Sequence, residues 1–263
     1  MCAHLATIPM EPSTNILDLN QLRRSCSSCA LHELCLPAGI GRDDLERLDS
    51  TVKDKRALDQ GSMLYRDGDS FQALYVVRSG SLKTFVLNEA GEVQILGFHL
   101  PGEIVGFDAL ATDKHVSHAE ALEPSSICEL PYARLQQVTA EVPALYRQLM
   151  RVISREVVAE QRHTVIMGRQ QAQERLAILL KSLTDRYQRL QRNESTLILP
   201  MSRYDIANYL GLVVETVSRL FSRMKEMGVL EVDRKSVQIL RPDLLDDLCQ
   251  SGSVSTSKQR GAG

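Results

Sequence analysis

The stretch from Met201 to Gly228 leaves this chain the fewest choices of fold. It opens Met201-Ser-Arg-Tyr-Asp-Ile-Ala-Asn-Tyr-Leu-Gly211 and continues Leu212-Val-Val-Glu-Thr-Val-Ser-Arg-Leu-Phe-Ser-Arg-Met-Lys-Glu-Met227. Ser202, followed three residues on by Asp205, predicts a capped helix start whose carboxylate also suits the first-turn dipole. Ala207 is small where a second helix must cross closely, and Gly211 supplies a tight turn. Ile206, Leu210, Val217 and Leu220 are apolar where two packed helices need a shared core. These constraints together predict a helix-turn-helix. Glu231 to Leu240, with Val232, Val237 and Ile239, reads as a small hairpin wing.

On the second of those helices Glu215, Ser218 and Arg219 share one face at i, i+3 and i+4. Arginine can fork onto guanine O6 and N7, glutamate can accept from a cytosine amino group, and serine suits several partners. Arg223 and Lys225 are placed to hold phosphates. Arg219 alone would read as a solvated charge; the whole motif makes double-stranded DNA the expected partner. The net charge of −2 over 263 residues rules out bulk attraction to nucleic acid, so the contact must come from local placement.

No apolar run approaches the roughly 20 residues that cross a bilayer, and Met1 to Met10 lacks the features of a signal peptide. A soluble, cytoplasmic protein with no membrane partner is expected, and its six cysteines should stay reduced. No P-loop, G-x-S-x-G or His-rich metal motif is present, so an enzyme is not expected.

Residues 1–20 are polar and aperiodic and read as a disordered N-terminus, and the Ser/Gly/Lys-rich tail 251–263 reads the same way. Residues 21–140 carry a cysteine segment, a short helix over Arg42–Asp49 and a sensory β domain. From Gly61 to Pro131, short apolar or alternating runs such as Ala73–Val77, Leu82–Leu87 and Val93–Leu96 are punctuated by glycines. That spacing suggests an antiparallel roll or jelly-roll-like barrel, with Asn88-Glu89-Ala90-Gly91 as a hairpin tip. Residues 141–171 hold a long helix. Along it Tyr146, Met150, Ile153, Val157, Glu160, Thr164 and Met167 step by fours and threes, the spacing of a coiled-coil seam. A helix packed on its own domain is the plainer alternative. In a seam at a two-fold axis Glu160 would meet its own copy and weaken the dimer. A further helix, Ala172–Leu190, opens the DNA-reading domain, residues 172–250.

Cys26-x2-Cys29-x5-Cys35 gathers three thiols, and Cys128, on an expected strand, would supply a fourth if the segment folds back on the roll. Four thiolates suit an iron–sulfur cluster or tetrahedral zinc, with His32 as a substitute ligand. Spacing alone leaves cluster, zinc and unligated cysteines open, and Cys128 by itself reads as a small core residue. His115 and His118 lack metal spacing and are expected at the surface.

Taken together, these residues resemble the FNR/Anr branch of the cyclic-AMP receptor protein (CRP/FNR) superfamily from about Leu22 to Leu248. The Cys26, Cys29, Cys35 and Cys128 pattern is similar to that of oxygen-sensing FNR regulators. Val214-Glu215-Thr216-Val217-Ser218-Arg219 resembles their DNA-reading helix, and Gly97 to Asp108 resembles their roll. The resemblance implies an α+β fold: a cyclic-nucleotide-binding-like β-roll, a long dimerisation helix and a C-terminal winged helix-turn-helix. It implies a [4Fe–4S] cluster on the four cysteines, a homodimer through Met150, Ile153, Val157, Glu160, Thr164 and Met167, and TTGAT-like half-sites read by Glu215, Ser218 and Arg219. It further implies control of low-oxygen respiratory genes through RNA polymerase, with Gly91 and Glu92 matching a polymerase-contacting loop. A hairpin tip would look the same without that partner. Cyclic AMP is not expected, because Val116-Ser117-His118-Ala119 stands where an arginine would meet the phosphate. A regulator of the same fold whose cysteines bind zinc or sense redox state as thiols is the alternative. Leu34 and Leu36 flank Cys35, either limiting oxygen access or simply packing.

Overall fold

The computed structural model describes residues 26, 29, 31, 35, 36, 38, 41, 44, 52–169, 171–190 and 196–250. The expectations for residues 1–20, 251–263, His32 and Leu34 lie outside the described residues, and of the Arg42–Asp49 helix only Asp44 is described.

The glycine-punctuated region forms eight strands: β1 (Lys53–Leu58), β2 (Met63–Tyr65), β3 (Ala73–Ser79), β4 (Leu82–Leu87), β5 (Val93–His99), β6 (Ile104–Val105), β7 (His118–Ala121) and β8 (Ser125–Pro131). They pair antiparallel in two four-stranded sheets, ordered β1-β8-β3-β6 and β2-β7-β4-β5. The β3–β4 hairpin needs Gly80, which takes φ +78 and whose missing Cβ would fall 2.2 Å from Ser125 Oγ. All of Ala73–Val77 is buried, and the strand period explains why. Ala73, Tyr75 and Val77 face the roll interior with Leu58, Leu82 and Ile127. Leu74 and Val76 face the other way, into a second core with Leu36, Leu135, Leu145 and Leu149.

That second core is built by α1 (Tyr132–Glu141), α2 (Pro143–Arg169) and the cysteine segment. Pro143 explains the break between the helices: it suits a first helical position, and it holds Val142 out of helical geometry at φ −118, ψ 89. The 27 residues of α2 span about 40 Å. Leu145 and Leu149 bury one face on the sheet, while Tyr146, Met150 and Val157 remain exposed on another.

After α3 (Ala172–Arg189) come β9 (Thr196–Ile198), α4 (Arg203–Leu210), α5 (Val214–Glu226), β10 (Leu230–Asp233), β11 (Ser236–Ile239) and α6 (Pro242–Gln250). The strands order as β10-β11-β9, so the wing hairpin is completed by a third strand from ahead of the helices. Ser202 and Asp205 form a reciprocal capping box on α4. Gly211 ends α4 at φ +61, and a Cβ there would come within 2.7 Å of Met167 Cε.

The two modules share one core: Phe85, Ile95, Phe98 and Leu100 of the roll join Leu180, Ile206 and Leu210. Polar contacts frame it. Lys83 Nζ lies 3.1 Å from Asp205 and 3.3 Å from Glu120. Arg186 Nε donates to Glu103 at 2.7 Å while its other arm reaches Glu103 and the Phe98 carbonyl. Asn208 accepts from the Ile95 N–H at 2.7 Å and donates to the Val93 carbonyl.

Candidate cofactor site and nucleic-acid interface

Cys128 sits on β8 opposite Val76 of β3, so both side chains leave the sheet on the face away from the roll interior. Local backbone bonds fold the N-terminal segment over that face: Cys29 N–H to the Cys26 carbonyl at 3.2 Å, Cys35 N–H to Leu31 at 3.0 Å, and Ala38 N–H to Cys35 at 3.1 Å. Leu36, 1 % exposed, anchors the segment in the second core. The result is an apolar cavity lined by Cys26, Cys29, Cys35 and Cys128, walled by leucine and valine, with Arg78 as its one cation among the described residues. None of the four is in a disulfide. Burial pushes the Cys35 thiol up to about 12, against a backbone hydrogen bond from Leu36 that pulls it down. Burial also raises Cys128, and the Arg78 charge opposes that rise. Without a bound cation this environment favours neutral thiols. Among the described residues no three His, Cys, Asp or Glu side chains gather closely enough to hold a metal ion. The four thiols line one and the same cavity.

The histidine expectation needs correcting. His115 is 1 % exposed: its ring stacks 3.7 Å from Tyr65, and Nδ1 lies 3.2 Å from Asp108 Oδ1. Aromatic stacking and a carboxylate partner make burial tolerable for a side chain that would otherwise stay in water. His118 is half-buried and stacks on Phe85.

On α5, Val217, Leu220, Phe221 and Met224 turn inward, which leaves Glu215, Ser218 and Arg219 exposed together on the opposite face. Arg223 is exposed, whereas Lys225 pairs with Glu231 of the wing. The helix begins at Val213, whose side chain makes no capping bond. Beneath it Arg203 lies 3.4 Å over the Phe221 ring.

Of the seam residues on α2, Met150, Val157, Glu160 and Thr164 are exposed and Ile153 is half-buried. Met167 packs within its own chain against Gly211. Arg175 ties this end down, donating to the carbonyls of Met167 at 2.8 Å and Leu210 at 3.0 Å. Gly91 and Glu92 lie at the exposed β4–β5 tip, where Asn88 accepts from the Glu92 N–H and donates to its carboxylate. Sequence reasoning missed Lys83, Arg186 and Asn208, whose partners lie far away along the chain, and Arg78, whose place beside Cys128 depends on the β3–β8 pairing. It also missed Glu156 on α2, which burial, then Glu103 and Glu160, push up to about 7.

A β-roll, a long helix with an exposed apolar stripe and a winged helix-turn-helix with an exposed polar face on α5 define a class of DNA-binding regulators that join a roll to a winged helix. The comparisons with known proteins narrow this. The cyclic nucleotide-binding domain family matches residues 55–141, and the Crp-like helix-turn-helix domain family matches residues 174–248. The chain is 44 % identical over 229 residues to the transcriptional activator protein Anr of Pseudomonas protegens, covering 87 % of this chain and 93 % of that one. It is 39 % identical to the fumarate nitrate reduction regulatory protein of Klebsiella oxytoca, covering 85 % and 89 %. FixK2 from Bradyrhizobium japonicum shares the fold with a TM-score of 0.69 at 27 % identity, over 74 % of this chain and 96 % of that one. The chain belongs to the CRP/FNR family of transcription regulators. It is a DNA-binding regulator and not an enzyme. No helix among the described residues is long and apolar enough to cross a membrane.

Proposed function

We propose that this chain is a cytoplasmic, oxygen-responsive activator of anaerobic respiratory genes that holds a [4Fe–4S] cluster on Cys26, Cys29, Cys35 and Cys128. The observation that carries the reading is the lining of one apolar cavity by all four cysteines, three from a local segment and one from β8. Four thiols around one cavity match the four-cysteine ligand set of a cubane. A bound [4Fe–4S] core supplies an oxygen-labile crosslink between the cysteine segment and the sheet.

The chain's own residues then do the signalling. The cysteine segment shares its core with Leu145, Leu149 and Ile153 of α2, so its seating supports the first half of that helix. The stripe of Met150, Ile153 and Val157, continued by Glu160, Thr164 and Met167, pairs with a second copy, and like charges at Glu160 hold the homodimer near its threshold. Pairing sets two α5 helices one DNA turn apart, where Glu215, Ser218 and Arg219 read TTGAT-like half-sites and Arg223 and Lys225 meet phosphates. Gly91 and Glu92 offer RNA polymerase a contact at the β4–β5 tip. Residues 21–140 act as sensor, 141–171 as dimerisation helix and 172–250 as reader.

Purification under argon, with iron and sulfide analysis and sedimentation before and after air exposure, tests this. About four irons and four sulfides per chain, a visible absorption band and a dimer that falls apart in air are expected, with Glu160→Ala resisting that dissociation. Stoichiometric zinc without iron, or a mass indifferent to air, refutes it.

A further inference from the structure

Arg78 stands at the end of β3, two residues beyond the Val76 that pairs with Cys128. The ladder slips between Val77 and Ser79, so Arg78 is the extra residue of a bulge. A bulge re-aims one side chain while the strand continues. Here the re-aimed side chain lines the four-cysteine cavity, in a wall that among the described residues is otherwise made of thiols and aliphatic groups. Arg78 is only partly exposed, and no carboxylate among the described residues pairs with it. A half-buried guanidinium without a counter-ion is costly, and a fold keeps one where negative charge is to come.

We propose that Arg78 is the counter-charge of the thiolate site: a positioning residue that offsets the net negative charge of an iron–sulfur core on Cys26, Cys29, Cys35 and Cys128, and thereby sets the core's reduction potential and retention. This rests on the cluster reading. Four thiolates outweigh the positive charge of the [4Fe–4S] unit, and local charge is among the levers that set such potentials. Arg78 makes addition of an electron easier and loss of iron harder. It has no part in carrying Cys128, which the β8 ladder positions by itself.

The test uses the full chain reconstituted under argon as wild type, Arg78→Gln and Arg78→Lys. Optical redox titration reads the midpoint potential, and bleaching of the visible band in excess chelator reads retention. Arg78→Gln should shift the potential to more negative values and bleach about tenfold faster, equivalent to about 1.4 kcal/mol. Arg78→Lys should restore most of both, since charge is kept while the fork is lost. The melting temperature of cluster-free Arg78→Gln should hold or rise, because an uncompensated charge is removed, whereas a packing role would lower it. Should Arg78→Gln not fold, Arg78→Met takes its place. Wild-type potential and bleaching in a fully loaded neutral variant overturns the proposal and leaves the cluster reading standing. So does a lysine variant that behaves like the neutral one. A wild-type chain that takes up no iron or sulfide overturns both.

Discussion

Replacing Glu156 by glutamine should stabilise the protein above pH 7 and flatten its stability between pH 5 and 8. Glu156 lies on α2 where the roll, the long helix and α3 meet. Its neighbours are Glu103 before β6, Glu160 one turn on, Arg186 of α3, Arg155 on its own helix and, from α4, Tyr209. Arg186 is already committed to Glu103 by a two-point pair, so it relieves Glu156 only in part. Burial and the two other carboxylates raise the group from 4.5 to about 7. Between those values the folded chain holds a proton that the unfolded chain has released. The folded state then binds more protons, and stability falls as pH rises through that window. The full shift corresponds to about 3 kcal/mol by pH 8, and water reaching the site reduces the expected effect to about 1–2 kcal/mol. Urea unfolding of the cluster-free wild type and Glu156→Gln at pH 5.5 and 8, at one ionic strength, measures it. The curves should coincide more closely at pH 5.5 and separate at pH 8. Parallel pH dependences for the two proteins would refute the burial argument.

Four further outcomes follow, three from local geometry already described and one from the proposed function. Asn208→Ala should cost about 1–2 kcal/mol and remove hydrogen-exchange protection from the Ile95 amide, because both bonds to β5 go with it. Gly211→Ala meets a positive φ and the Met167 methyl together, so a loss of roughly 1–3 kcal/mol in thermal unfolding is expected. Val213→Ser gives α5 the side-chain cap it lacks, and the melting curve should report a gain of about 1 kcal/mol. Arg219→Ala should weaken binding to a cognate palindrome by about 1–3 kcal/mol and relax selection at one base pair, read by competition with single-base variants of the site.

What was legible in the sequence was local. The capping box of Ser202 and Asp205, the turn at Gly211 and the apolar spacing of Ile206, Leu210, Val217 and Leu220 all concern neighbours within a few residues, and the structure forms them as that spacing requires. The roll was legible for a similar reason: short runs and glycines at positive φ mark strands and turns directly. The helix Tyr132–Glu141 was not, because it starts at Pro131 without a side-chain cap and buries only Leu135 fully. The convergence of Cys128 with the other three cysteines depends on β8 lying beside β3, a pairing that no local pattern dictates. His115 went wrong because its tolerance for burial comes from Tyr65 and Asp108, neither adjacent in the chain. Lys83 and Asp205, 122 residues apart, reveal nothing of each other until the modules dock.

Strand β5 is the outer strand of its sheet, so its outward N–H and C=O groups have no strand to meet. Asn208 is the substitute: its amide presents one acceptor to Ile95 and one donor to Val93, much as a neighbouring backbone would. The winged-helix module thereby guards the roll against strand addition, the common route to self-association through a bare sheet margin. Any state in which the reader swings clear of β5 uncovers that margin along with Ile95 and Phe98. The freedom of the two modules to part is bounded by colloidal stability, and variants that loosen the joint should precipitate before they merely lose their grip on DNA.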